Sequence, residues 1–127
     1  MRVLDTDVAV DIVRGFAPAI LWFGALPEAA GIAGFAYMEV IEGCRDRSEI
    51  RRVRMLLSPL RVVWPRDQDC QRALTDFTQY HLSHSLGLID SLIAATAIGL
   101  GATLCTFNTK HFAAVSGRVT EQPYART

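Results

Sequence analysis

The stretch GLIDSLIAATAIGLGATLCTF, residues 87–107, holds one charged side chain, Asp90, among Leu, Ile, Ala, Thr and Gly. An ionised carboxylate in apolar surroundings is costly unless it is paired or binds a metal. The stretch therefore has both a structural and a chemical reading. Structurally, Leu88, Ile89, Leu92, Ile93, Ala94, Ala95, Ala97 and Ile98 make a helix that is apolar nearly all round, as a fully packed helix is. Gly99 and Gly101 break it, and TLCTF follows as a short buried strand. Residues 91–109 carry no formal charge, but the two glycines, Asp90 at the start and the lack of basic flanks argue against a membrane span.

The same alternation extends outward in both directions. RVLD (2–5) reads as a strand, TDVAVDIVRG (6–15) as a helix capped by Thr6 or Asp7, and APAILWFGAL (17–26) as a helix with Pro18 in its first turn. GIAGF (31–35) is a strand and AYMEVIEG (36–43) a helix. RDRSEIRRVRMLLSPL (45–60) is an amphipathic helix with Ile50, Val53, Leu56 and Leu57 on one face. RVVW (61–64) is a strand. DQDCQRALTDFTQYHLSHS (67–85) is a long helix with Cys70, Ala73, Leu74, Phe77 and Tyr80 at core spacing, and a last strand falls near RVTEQPY (118–124). Short apolar strands alternating with helices predict a parallel sheet covered on both faces.

Composition narrows the function classes. With 127 residues, half of them hydrophobic, the chain reads as one domain, 1–127, with a single buried core. Thirteen basic and thirteen acidic residues cancel, so any binding to nucleic acid must come from a local basic patch. Cys44, Cys70 and Cys105 are odd in number and far apart, which argues against a disulfide framework or a cysteine zinc site and fits a reducing cytoplasm. Asp5 and Asp7 lie where a signal peptide needs its apolar run.

Sites on parallel sheets lie at the carboxyl ends of the strands. Asp5 stands at one such end, Thr106 and Asn108 at another, and Glu39 a few residues past a third. Asp90, in the first turn of its helix, gains at most about 1 kcal/mol from the helix dipole, which is small beside its desolvation. An arginine partner is the competing explanation for Asp90. A helix-capping role is the competing one for Asp5, although Thr6 and Asp7 are equally good caps. Glu39 and Glu42 project from one side of a helix. Glu39 has Phe35, Ala36 and Gly43 as neighbours and is the buried candidate, while Glu42, beside Met38, Arg45 and Asp46, is solvated. Three carboxylates from separate segments repel one another without a cation. Such hard oxygen donors suit Mg²⁺ or Mn²⁺, ions that support phosphodiester hydrolysis.

At these residues the sequence resembles a known family. VLDTDV (3–8) looks like the opening motif of PIN-domain nucleases, and AYMEVIEG like their second acidic motif, with Glu39 at the acid and Gly43 at the glycine. LGLIDSLIAATAIGLGATLCTFNTKHF (86–112) is similar to their third and fourth motifs, with Asp90 as the third acid, and VTEQPY resembles their last strand. Length and compactness match the VapC-like toxins of toxin–antitoxin pairs. The resemblance implies a three-layer α/β/α PIN-like fold with a short, mostly parallel central sheet. It also implies a Mg²⁺- or Mn²⁺-dependent endoribonuclease that hydrolyses RNA phosphodiesters with a metal-activated water, a VapB-like antitoxin partner and a homodimer. Asp5, Glu39 and Asp90 are the expected metal ligands and, with Asn108, the expected catalytic set. Thr106, Thr6 and Asp7 are candidates for an outer shell or for orienting a water. Many family members carry an acid where this chain has Asn108, which offers a carbonyl oxygen but no charge, so one metal or two stays open.

Two other readings stand beside the toxin. One is a PIN nuclease of RNA maturation or DNA repair, and the other a degenerate, non-catalytic PIN domain that serves as a binding subunit of a repressor complex. Among the arginines of CRDRSEIRRVR, Arg45, Arg51 and Arg52 are candidates for contact with RNA or antitoxin. His81 and His84 lack a third nearby ligand and read as exposed. Phe16, Trp22 and Phe23 read as core or dimer surface. No P-loop, GxSxG or GxGxxG is present.

Overall fold

The computed structural model describes residues 1–126 and gathers the short apolar runs into a five-stranded sheet. Strands β1 (Arg2–Leu4), β2 (Gly31–Ala33), β3 (Arg61–Val63), β4 (Thr103–Cys105) and β5 (Thr120–Glu121) lie in the order β3-β2-β1-β4-β5. Every pairing among the described residues is parallel, with Val3 opposite Gly31 on one side of β1 and opposite Leu104 on the other. Parallel neighbours need long crossovers, and these carry the helices. Helices α1 (Thr6–Val13) and α2 (Ala17–Gly24) follow β1, and α3 (Gly34–Glu42) and α4 (Arg47–Leu56) follow β2. Helices α5 (Asp67–His84) and α6 (Leu88–Gly99) follow β3.

The first two crossovers step outward from β1, whereas the third returns across it to β4. Right-handed crossovers then put α5 and α6 on the face opposite α1–α4. The packing agrees: α5 lies along α6, and α1 meets α2, α3 and α4. This is the expected three-layer arrangement. The order reverses between β1 and β4, and at such a switch point the connections leave in opposite directions and open a crevice.

Val3, Leu4 and Ile32 of the sheet, Val8 and Ile12 of α1, Ile93 of α6 and Phe112 form the centre of the core, none more than 1% exposed. Helix α6 is buried along Ser91 and residues 93–97, but it is not enclosed all round, since Leu88 is 57% exposed. On α5 the inward stripe runs through Cys70, Ala73, Phe77 and Tyr80. Leu74, expected in the core, lies about 100° from Ala73 around the helix and is left 61% exposed. Strand β2 ends at Ala33, so Gly34 and Phe35 belong to α3. Phe16 and Trp22 are half-buried and pack on Tyr124, with ring centroids 6.0 and 5.9 Å away. Among the described residues no helix is long and apolar enough to cross a membrane.

The absence of a side chain at Gly34 sets how closely α3 approaches β3. A Cβ there would stand 2.4 Å from the Trp64 ring, which also packs edge-on against Phe35 at 5.5 Å. Gly34→Ala is therefore expected to displace the half-exposed indole and destabilise the fold by about 1–3 kcal/mol, the usual range for overpacking. Thermal melting and a shift in tryptophan emission check it; unchanged emission with unchanged melting would contradict the packing described.

Candidate active site

The β1–β4 ladder runs one step past the strand end, where Asp5 N donates to Cys105 O at 3.0 Å. That step delivers Asp5 into the switch-point crevice, 2% exposed. Its Oδ1 accepts from Thr6 N at 2.7 Å, so of the three cap candidates in the sequence, Asp5, Thr6 and Asp7, it is Asp5 that sits at the N-cap of α1. The carboxylate also has a second task. Its Oδ2 accepts from Thr106 Oγ1 at 2.7 Å, across 101 residues of chain.

Thr6 and Thr106 act as positioning groups. Thr6 Oγ1 donates to Glu39 Oε1 at 2.6 Å, so one residue touches Asp5 through its backbone and Glu39 through its hydroxyl. Thr106 is fully buried, and its oxygen also accepts from Asn108 N at 3.0 Å. Donor and acceptor are both engaged, so orienting a water is not the work its hydroxyl does here. Asp7 is committed as well: its two oxygens accept from Val8 N at 2.8 Å and Phe107 N at 2.9 Å, pinning the loop after β4 to α1.

Asp90 sits in the first turn of α6, with Gly87 at the cap. No arginine pairs with it among the described residues. Its neighbour is His111, whose Nδ1 stands 3.6 Å from Asp90 Oδ2. Sequence reasoning gave His111 no role, and only its place four residues before Val115 and one before the buried Phe112 hints at an anchored turn. Asn108 is exposed, and its carbonyl accepts from His111 N at 2.9 Å, so a single turn carries both residues.

The chain end adds a clasp that the sequence did not reveal. Tyr124 donates to Asp11 Oδ2 at 2.7 Å, and Arg126 Nε reaches the same oxygen at 3.1 Å. The Arg126 guanidinium lies 3.9 Å over the Phe107 ring.

Electrostatics set these acids apart from the rest of the molecule. Burial pushes the Asp5 carboxyl up to about 7, with the charge of Asp7 adding to it and Asp90 contributing further, against the hydrogen bonds from Thr106 and Thr6. Burial also raises Asp90 above the usual carboxylate range, opposed by His111. No lysine or arginine pairs with Asp5, Glu39 or Asp90 among the described residues. Nor does any group of three or more His, Cys, Asp or Glu there form a ready-made metal cage. The donor set offered by Asp5, Glu39 and Asp90 is still all hard oxygen, with His111 beside Asp90 as the one basic neighbour among the described residues. That chemistry suits a hard divalent cation.

Of the candidate basic contacts, Arg45 is paired with Glu49 at 3.1 Å, Arg52 lines a groove that contains Glu39, and Arg51 is exposed outside that groove. His81 and His84 are exposed, as expected.

The PIN domain family model matches residues 2–118. The chain belongs to the PIN-domain family. It is 35% identical over 117 residues to Ribonuclease VapC10 of Mycobacterium tuberculosis, covering 88% of this chain and 86% of that protein. Ribonuclease VapC19 of the same species is 32% identical over 118 residues, covering 88% and 92%. A solved toxin–antitoxin complex from Klebsiella pneumoniae contains a chain that superposes with a TM-score of 0.79 at 28% identity, over 98% of each. The strand order and the switch-point acids thus belong to a PIN domain whose similarity runs through all the segments that supply the acids.

The raised Asp5 fixes the sign of a pH effect. Unfolded, the group titrates near 3.8; folded, near 7. The folded state holds its proton more tightly, so the metal-free protein loses stability as pH rises from about 4 to about 7. Asp5→Asn removes this term. At about 1.4 kcal/mol per pKa unit, the substituted protein should gain up to about 4 kcal/mol relative to the parent at pH 8 and none of that gain at pH 4. Urea unfolding of both proteins in chelator at the two pH values checks it; a stability difference independent of pH would refute it.

Proposed function

We propose that this chain is the endoribonuclease toxin of a VapBC-type toxin–antitoxin pair, hydrolysing RNA phosphodiesters with Mg²⁺ or Mn²⁺ held by Asp5, Glu39 and Asp90. One observation carries the reading. Asp5 just past β1, Glu39 of α3 and Asp90 of α6 have no lysine or arginine partner among the described residues, and Asp5 is raised to about 7, in part by the charge of Asp90. Supporting it, relatives over most of the chain bear the name ribonuclease, and a similar chain was solved within a toxin–antitoxin complex. An antitoxin encoded beside this chain, self-association as a homodimer and a cytoplasmic location belong to the same reading.

Each residue has a defined part in it. Asp5 and Glu39 are held at fixed orientation by Thr106 and Thr6, which leaves Glu39 Oε2 without a protein partner among the described residues. Asp90 supplies the third charge from the opposite layer. His111 borders Asp90 and, through Asn108, is tied to Thr106. A divalent ion bound among these acids supplies charge neutralisation and a more acidic water, worth several kcal/mol to phosphodiester hydrolysis. Phe107 and Asp7 close the loop behind the acids and fix the mouth of the crevice.

Asp90→Asn is expected to keep the fold and to lower RNA cleavage about a thousandfold, since each loss of about 1.4 kcal/mol from transition-state stabilisation costs tenfold. A Mn²⁺-supplemented assay on a panel of RNAs, run beside melting curves, tests the assignment; parent-like cleavage by the substituted protein would sink it. Asn108 gives a second test. An added carboxylate attracts a divalent ion about 4 Å away by roughly 2 kcal/mol even in water. It also repels the neighbouring acids when no ion is bound. Asn108→Asp is therefore expected to destabilise the metal-free protein slightly and to lower the Mn²⁺ needed for half-maximal cleavage. An unchanged or higher requirement would place residue 108 outside the metal's reach.

A further inference from the structure

A groove of about 420 Å³ opens beside the acids, and Glu39 forms part of its wall. Its floor is apolar, made by Val10 and Val13 on the α1 side, Val40 of α3 and Val53 of α4. Arg14, Arg45 and Arg52 stand around it. Arg45 is neutralised by Glu49 at 3.1 Å. Arg14 and Arg52 make no ion pair among the described residues. We infer that this groove is the subsite for one nucleotide flanking the cleaved bond, its base on the valine floor and its phosphate between Arg14 and Arg52. The inference rests on the RNA-hydrolase reading above and names where that substrate is gripped.

The argument is one of charge. Asp5, Glu39 and Asp90 repel a polyanion, while phosphate neutralisation by cations supplies most of the affinity of proteins for nucleic acid. A strand laid across these acids must find its cations immediately beside them. The Arg126 guanidinium of the tail clasp is spent on Asp11 and Phe107, and Arg14 borders both that hollow and the groove. On the groove side Arg14 and Arg52 are unspent. The size is that of a small-ligand site, roughly 300–1,000 Å³, and admits a nucleotide but not a duplex. The lining offers no aromatic platform, so a base there rests on aliphatic surface with guanidinium planes available to stack on it. Glu39 in the wall makes whatever fills the groove continuous with the acids, and the guanidiniums of Arg14 and Arg52 there favour a phosphate-bearing strand.

Cys44 lines the same groove and Cys70 lies away from it on α5, both half-buried and free, which provides a footprint with an internal reference. The Asp90→Asn protein is mixed with a short single-stranded RNA, and alkylation of both thiols by iodoacetamide is followed by mass spectrometry. The RNA is expected to slow Cys44 severalfold and leave Cys70 unchanged. In the same background, Arg14→Ala with Arg52→Ala should weaken RNA binding, read by fluorescence anisotropy, roughly tenfold. It should also reduce the slope of log affinity against log salt by about 0.7, the value for one phosphate contact on a single strand. Arg51→Ala with Arg54→Ala, an equal change of charge on the same helix outside the groove, should do less than half as much. Equal losses from the two double variants, or no protection of Cys44, overturn the subsite. So does a groove variant that keeps RNA but loses the small protein encoded beside this chain, because the groove would then be a protein site. If the parent cleaves RNA normally while these effects are missing, the subsite alone falls. If the parent cleaves nothing and the Asp90→Asn protein binds no RNA, the hydrolase reading falls with it.

Discussion

The hydroxyl of Thr106 is the contact on which the crevice depends. It donates to Asp5 at 2.7 Å, accepts from Asn108 N at 3.0 Å, and is wholly shielded from solvent. No local propensity brings residues 5 and 106 together. They meet because the third crossover returns over β1 and lays β4 against it, with Leu4 opposite Cys105. Once that register exists, each residue just past its strand end faces the other. Loss of the hydroxyl would leave a buried carboxylate oxygen unpaired, at a cost of about 1–3 kcal/mol. It would also free the turn that carries Asn108 and His111.

Around this contact the fold concentrates negative charge that its own dipoles only partly offset. Asp5 caps α1 and Asp90 lies in the first turn of α6, so two helix amino ends point toward the crevice. Each is worth at most about 1 kcal/mol to a nearby carboxylate. Burial outweighs them, and both acids are raised in consequence. Elsewhere the chain handles acids differently. Asp69 is held below the usual carboxylate range by its hydrogen bonds from Arg66, and Asp76 pairs with Arg72 at 3.2 Å. Among the described residues, arginines pair with Asp69 and Asp76 but none pairs with Asp5, Glu39 or Asp90, a pattern that marks perturbed acids at a functional site.

Much of this was legible in the sequence, for a physical reason. Parallel strands are buried on both faces, so they read as short continuous apolar runs, and Asp90 is conspicuous because its segment has no other charge. Asp5 and Glu39 are placed by their distance from strand ends, which sequence shows. Contacts set by register are not written locally, and these are what was missed. Cap propensity is local and left Asp5, Thr6 and Asp7 all open as the cap of α1, and the hydrogen bond of Asp5 N to Cys105 O accompanies the choice of Asp5. His111 gained its place from the turn that buries Phe112. The expectation that Leu74 is in the core failed because the 3.6-residue period selects a stripe about one neighbour wide, and Ala73 occupies it. Thr106, a candidate for the outer shell or for orienting a water, donates to Asp5 and accepts from Asn108 N, which fits the first of these and not the second.

Net charge was the least informative of the sequence-level quantities, and the structure explains why. Thirteen charges of each sign sum to zero, which suggests no attraction to a polyanion. The sum conceals a segregation. Several arginines are used up in local pairs, Arg45 with Glu49, Arg66 with Asp69, Arg72 with Asp76 and Arg126 with Asp11. Among the described residues the acids of the crevice have no such arginine partners, and Arg14 and Arg52 beside them have no ion pair either. At the groove that Glu39 lines, acids and arginines without ion-pair partners among the described residues therefore stand side by side. Acids alone would hold a cation and repel RNA, and arginines alone would bind any nucleic acid without acting on it. Set next to each other at a switch point, they form a surface that can grip a phosphodiester strand while presenting one of its bonds to a metal.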